Sequence, residues 1–157
     1  MAFEQTYLAT PEEMPLRFCE AWNTRNALAL ANLFAEEAEF VNVVGLWWHH
    51  RAAIWKAHDY GLRVIFPDSL LEVRQVRHRL LSDTTALVHA RMKLSGQSAL
   101  PGHPAPQTRQ NIFSFVLQKL PLGWVAVSAH NTDIVPGQET NLAIEEGQLK
   151  AVDYRKK

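Results

Sequence analysis

Apolar side chains recur every three or four positions near the start of the chain and in alternation towards its end, so helices are expected first and strands afterwards. Met14, Phe18, Cys19 and Trp22 form one helical stripe. The preceding TPEE has the form of a helix start, with Thr10 as N-cap, Pro11 in the first turn and Glu13 placed to complete a capping box. Pro15 lacks an N–H, which predicts that the regular helix begins only there. After the polar turn Asn23 to Asn26, ALALANLFAEEA reads as a second short helix, with Leu30, Leu33 and Phe34 facing the first. EFVNVV is a β-branched run ended by Gly45, and LWW begins the return, so residues 39–48 are predicted to form a tight hairpin. Helical spacing then resumes, with Ile54, His58, Leu62 and Ile65 on one stripe until Pro67 stops it.

The remainder is strand-like. In LLEVRQVRHRLL the apolar parity changes between Val73 and Val76, which predicts a bulge near Arg74 and Gln75. TALVHARMKL alternates cleanly, placing Ala86, Val88, Ala90, Met92 and Leu94 on one face and Leu87, His89, Arg91 and Lys93 on the other. RQNIFSFVLQKL and WVAVSAHNTDIV supply two further strands around the turn LPLG. The proline-rich segment 96–108 reads as a surface loop, and the tail after Pro136-Gly137 has no clear periodicity. The expected organisation is one α+β domain over residues 1–137, three helices packed on a curved antiparallel sheet, followed by a tail over 138–157 that is either mobile or laid across a partner subunit.

A chain of 157 residues has the length of one domain and should bury roughly 70% of its unfolded surface. Sixteen basic residues balance sixteen acidic ones, so no overall field steers the protein towards nucleic acid or an anionic membrane. The single cysteine, Cys19, sits on the first helix's apolar stripe and reads as core. MAFEQTYLATPEE has no basic region followed by an apolar run, and no stretch approaches the ~18 apolar residues of a membrane span. A cytoplasmic protein is expected.

The order helix, helix, hairpin, helix and curved sheet, closing on an apolar strand and HNT, resembles the nuclear-transport-factor-2-like superfamily. FCEAWNTRNALALANLFAEEAEFVNVVGLWW, RAAIWKAHDYGLRVIF, DTTALVHARMKLSGQ and GWVAVSAHNTDIVPG are similar to the SgcJ/EcaC-type, SnoaL-related proteins within it. The resemblance implies a cone with a pocket between the helices and the concave sheet face, and a homodimer built sheet to sheet. It also implies an oxidoreductase label. The ketosteroid isomerases of this fold carry an aspartate base three residues before a glycine. Here that position is Asn42, whose amide has no useful basicity but can orient a carbonyl or enol.

His58 on the third helix's apolar stripe is either a satisfied core histidine or a pocket acid or base. At the end of the last strand, His130 and Thr132 share one face while Asn131 and Asp133 share the other. The resemblance favours His130 as the pocket-lining member. His58 and His130 are thus the candidate proton carriers with Asn42 as orienting group, and Trp22, Trp48, Tyr60, Phe113, Asn131 and Arg109 the candidate ligand contacts. Trp47 and Trp48 must point to opposite sides of a regular strand. His89, Arg91, Arg109 and Asn111 read as a cross-strand polar cluster, serving either an anionic ligand or, as the favoured reading, a dimer face.

No HExxH or CxxC suggests a metal, neither GxGxxG nor GxxxxGK[ST] a dinucleotide or nucleotide cradle, and no GxSxG a serine nucleophile. No metal or cofactor is expected. Two functions follow: a cofactor-free enzyme performing isomerase- or cyclase-like proton transfer on a carbonyl-containing or polyketide-like compound, or a non-catalytic dimeric carrier or interaction module whose pocket is filled by Trp22, Phe34, Trp48 and Phe113.

Overall fold

The computed structural model describes residues 2–155. Residue 1 and the final two lysines of the tail lie outside the described residues. A 3-10 turn over Pro11–Glu13 leads into α1 (Met14–Asn23), with Pro15 in the first turn, where its missing N–H breaks no bond. Thr10 has the extended backbone of an N-cap, but its hydroxyl meets the Glu13 carboxylate at 3.4 Å, so the expected capping box does not close on backbone N–H groups. Asn26 caps α2 (Ala27–Ala31), its Oδ1 accepting from the Ala29 N–H at 2.9 Å.

The second helix is shorter than its sequence suggests. From Phe34 onwards the segment expected to be helical is β1 (Phe34–Val41). The reason is tertiary: β1 lies beside the last long strand, which supplies its backbone partners, so pairing overrides the helix preference of Ala-Glu-Glu-Ala. The predicted hairpin forms between β1 and β2 (Trp47–His49), with Gly45 at φ +85° in its turn. α3 (His50–Tyr60) follows, and a π-helical turn over Gly61–Ile65 extends it, closed by the Phe66 N–H on the Gly61 carbonyl at 2.8 Å.

β3 (Leu70–Ser82), β4 (Thr85–Ser95), β5 (Arg109–Leu120) and β6 (Gly123–Asp133) form a meander. The six-stranded sheet runs β2-β1-β6-β5-β4-β3. Its pairs are antiparallel except β1 with β6, which is parallel because the chain travels through α3 and round the meander before returning beside β1. The expected bulge appears between Val73 and Gln75. Ala86, Val88, Ala90, Met92 and Leu94 are all buried on the inner face, as their alternation predicts. α1 lies against that face with Phe18 fully buried among Phe40, Phe113 and Phe115. The architecture is α+β.

Two ties fix the open end of this layer. The Arg25 guanidinium donates to the carbonyls of Pro67 (2.6 Å), Trp22 (2.8 Å) and Ser69, joining the end of α1 to the chain beyond α3. Asn23 pairs with the Leu71 backbone in both directions at 2.9 Å. The tail forms a separate hairpin of β7 (Thr140–Glu145) and β8 (Gln148–Val152), whose Leu142, Ile144 and Leu149 are exposed. Among the described residues no helix is long and apolar enough to cross a membrane.

Candidate functional site

A cavity of about 580 Å³ remains between α3, the end of α1 and the inner face of the sheet, a size that suits a small organic ligand. Its walls are aromatic and aliphatic: Trp22 from α1, Phe40 from β1, Trp48 from β2, Phe66 after α3, and Phe113 from β5. Trp22 is locked by its Nε1–H, which donates to Ser69 Oγ at 3.0 Å. Ser69 in turn bonds the Phe66 carbonyl at 2.9 Å, so this wall is held by polar contacts away from the hollow.

His58 enters this apolar wall because it falls on the same helical stripe as Ile54 and Leu62, both buried. Its ring stands among those of Phe40 (5.0 Å between centroids), Trp48 (5.6 Å), Phe18 (5.8 Å) and Trp22 (6.3 Å). Nδ1 lies 2.8 Å from the Ile54 carbonyl, which can only accept, so Nδ1 carries the proton and Nε2 keeps its lone pair. Burial pulls the imidazole pKa down to about 4, against the smaller opposing effect of that backbone bond. The ring is therefore neutral at physiological pH, a proton acceptor with a fixed tautomer. Cys19 is inert by contrast: burial pushes its thiol up to about 12, and its Sγ packs 3.7 Å from Met92 Sδ.

The polar end of the cavity comes from the inward parity of two strand ends. Arg109 and Asn111 share a face of β5 with the buried Phe113, Phe115 and Leu117, while Asn131 and Asp133 share a face of β6 with the buried Ala129. Arg109 Nη1 stands 3.6 Å from Asp133 Oδ2. Asn111 is only 3% exposed. Asn111 Oδ1, Asn131 Oδ1, Asp133 Oδ1 and Arg109 Nε are buried without a hydrogen-bond partner.

Of the candidate residues, His58, Asn42, Trp22, Trp48, Tyr60, Phe113, Asn131 and Arg109 all line this one cavity. His130 does not: it is exposed on the opposite face of β6, because Asn131 and Asp133 take the inward positions. Asn42 lines the cavity but is engaged, its Oδ1 accepting from the N–H groups of Val44 (3.1 Å) and Leu46 (2.9 Å), so its carbonyl oxygen serves the hairpin turn and only its amide nitrogen is left for a ligand. Trp48 is the inward tryptophan; Trp47 is 58% exposed and donates to Glu39 Oε2 at 2.7 Å. The supposed four-residue polar cluster divides between the two faces of the sheet. Arg109 pairs with Leu94 and Asn111 with Met92 on the inside, whereas His89 and Arg91 point outwards. Asn111 belongs to the site, and the parity it shares with Phe113 and Phe115 was the signal for it. Phe40 and Phe66 also line the cavity without having been singled out.

The model of the SnoaL-like domain family matches residues 16–116. The chain belongs to the SnoaL-like family. No curated protein matches this SnoaL-like chain. Among solved structures it is similar to a Caulobacter vibrioides protein with a cystatin-like fold, at 24% identity and TM-score 0.72 over 78% of this chain and 86% of that one. It is similar to a scytalone-dehydratase-like protein of Novosphingobium aromaticivorans, at 16% identity and TM-score 0.67 over 79% and 81% of the two chains. A ketosteroid-isomerase-like protein of Erwinia carotovora atroseptica matches at 12% identity and TM-score 0.62, over 81% of this chain and all of that one, 100%. At such identities these structures establish the fold alone, the cystatin-like fold. The SnoaL-like domain spans the helices and most of the sheet that enclose the cavity.

Proposed function

We propose that this SnoaL-like protein binds a small, largely apolar carbonyl compound in the cavity and moves a proton within it, as a cofactor-free isomerase- or cyclase-like enzyme. The observation that carries this reading is His58: a neutral imidazole with a fixed tautomer in the wall of a 580 Å³ hollow whose other end holds donors. A base of low pKa is workable for such chemistry; ketosteroid isomerase uses a carboxylate of pKa about 4.6 when donors stabilise the developing oxyanion. Here Nε2 would take the proton α to the carbonyl and return it at another position, while Arg109 and the amides of Asn111 and Asn131 receive the oxygen. The names of the scytalone-dehydratase-like and ketosteroid-isomerase-like neighbours agree with this class of reaction.

A non-catalytic carrier is the second reading, favoured by the engagement of Asn42 in its own turn. Both are separated by one experiment. A panel of bicyclic ketones is screened by thermal shift, and the binders are followed by NMR for exchange of their α-protons in deuterated water. His58→Leu should retain binding within a few-fold and slow exchange by about 10²–10⁴-fold, the usual worth of a positioned base. Exchange that survives the substitution removes the enzyme reading; binding without exchange in the wild type leaves the carrier.

We further propose that a second copy of the chain covers the outer face of the sheet. Leu87, Ile112 and Val116 are only half-buried there, and the exposed Arg77, Arg79 and Arg91 around them form no ion pair among the described residues. The hairpin β7–β8 carries the complementary surface, with Glu145 and Glu146 at its tip beside exposed Leu142, Ile144 and Leu149. Light scattering should give twice the 17.8 kDa chain mass, and Arg79→Glu with Arg91→Glu should shift it towards the monomer. A monomeric wild type at micromolar concentration would refute the interface.

A further inference from the structure

Most polar atoms that a protein buries find a partner, and each one left without costs on the order of 1–3 kcal/mol. The ends of β5 and β6, beside the cavity, break this rule four times within one cluster: Asn111 Oδ1, Asn131 Oδ1, Asp133 Oδ1 and Arg109 Nε. Their positions are linked by the sheet. Asn111 stands opposite Asp133 and Phe113 opposite Asn131, so the two amides are diagonal neighbours on one face, roughly 7–8 Å apart. Arg109, Asn111 and Asn131 line the hollow, with Asp133 beside Arg109, so a polar group of a ligand seated there can supply partners that the protein does not.

Resting on the reading of this cavity as a ligand site, we propose that the corner of Arg109, Asn111 and Asn131, with Asp133 beside Arg109, is a subsite for the hydroxyl of a neutral ligand, a phenol or enol whose apolar rings lie against Trp22 and Phe113. Two arguments select that group. The first is charge. Arg109 and Asp133 stand together at 3.6 Å and offset one another, and the other charged lining residue, Lys56, is exposed at the rim. A carboxylate or an ammonium would enter this corner without a counter-charge and lose its hydration. The second is donor and acceptor balance. Three of the four orphans accept and one donates, so the ligand must bring a donor that can also accept; a hydroxyl does both. Because each amide presents an oxygen and a nitrogen, a hydroxyl fits either orientation of Asn111 and Asn131. A bare ketone oxygen, which only accepts, would leave both carboxamide oxygens orphaned; the enol of the same compound donates its one O–H to one of them while its oxygen accepts from a neighbouring N–H. The subsite thereby distinguishes the two ends of the proposed proton transfer by favouring the enol.

The test uses the full chain and four probes of one shape, 2-naphthol, 2-methylnaphthalene, 2-naphthoate and 2-naphthylmethylammonium, titrated by ligand-observed NMR at neutral pH. 2-Naphthol should bind about tenfold more tightly than 2-methylnaphthalene, because a site built to bond a hydroxyl penalises its absence, and both charged probes should bind more weakly than either. In Asn111→Leu and, separately, Asn131→Leu the preference for 2-naphthol should fall below about twofold while 2-methylnaphthalene binds as before. Asn111→Leu should also raise the melting temperature, because it removes an unsatisfied amide from the interior; a purely structural amide would lower it. Equal binding of the hydroxyl and methyl probes, tighter binding of a charged probe, or a lowered melting temperature in Asn111→Leu overturns the subsite and leaves the cavity's ligand role intact. Failure of all four probes to bind overturns both.

Discussion

Acidification from pH 7 to pH 4 should remove about 3 kcal/mol of folding stability through His58 alone, as follows from a pKa of about 4 in the folded protein against 6.5 for the free side chain at 1.36 kcal/mol per unit. The sign follows from which state binds the proton first. As the pH falls through 6.5 the unfolded chain takes up a proton that the folded chain refuses, so the unfolded state gains. The contribution is complete above about pH 7, disappears progressively between 6.5 and 4, and falls no further below that, where both states are protonated. Carboxylates titrate in part of the same range, so the measurement is a difference. Urea unfolding at pH 7, 5.5 and 4 is compared between wild type and His58→Leu, which keeps the helical stripe apolar. The wild type should lose more over this window, by the amount stated; parallel losses in the two proteins would mean that the imidazole is not held neutral by burial.

His58 was legible in the sequence because a helix's period fixes direction: a polar residue between Ile54 and Leu62 has only one side to face. The clean alternation of β4 was legible for the same reason. A strand's end is less decided, since successive residues face opposite ways and a slip of one position exchanges them. Parity therefore leaves the two faces open and only the resemblance points to His130, whereas pairing with β5 turns Asn131 and Asp133 inwards. Asn111 and Arg109 needed the same register. Once Leu94 and Met92 are known to oppose them, their parity with the buried phenylalanines follows, and they separate from His89 and Arg91. The start of β1 and its parallel pairing with β6 depended on contacts some ninety positions apart, for instance Phe34 with Ala126, that no local pattern carries. The engagement of Asn42 was hidden for an opposite reason. It is a bond to its own turn, two and four residues on, and such asparagines look the same in sequence whether they serve a ligand or the backbone.

Phe18→Ala should be the most damaging single substitution in the site's support, costing about 3–5 kcal/mol. Phe18 is fully buried and sits where α1 meets the sheet, with ring centroids of Phe113 at 5.2 Å, Phe115 at 5.8 Å, and both Phe40 and Trp22 at 6.3 Å. Its neighbours are rings on three different elements, which cannot all close on the space that an alanine leaves. A second consequence distinguishes this site from ordinary core. Phe18 meets His58 edge to face at 5.8 Å and, without lining the cavity, stands behind its wall. Removing the ring opens the wall, lets water reach the imidazole and raises the His58 pKa back towards 6.5. The pH-dependent loss between 6.5 and 4 should therefore shrink in Phe18→Ala even as the total stability falls. Phe18→Leu, which fills most of the space, should cost about 1 kcal/mol and keep the wild-type pH dependence. Urea titrations at the same three pH values read both quantities. A Phe18→Ala protein that is strongly destabilised yet keeps the full wild-type pH dependence would show that the neutrality of His58 does not depend on this ring.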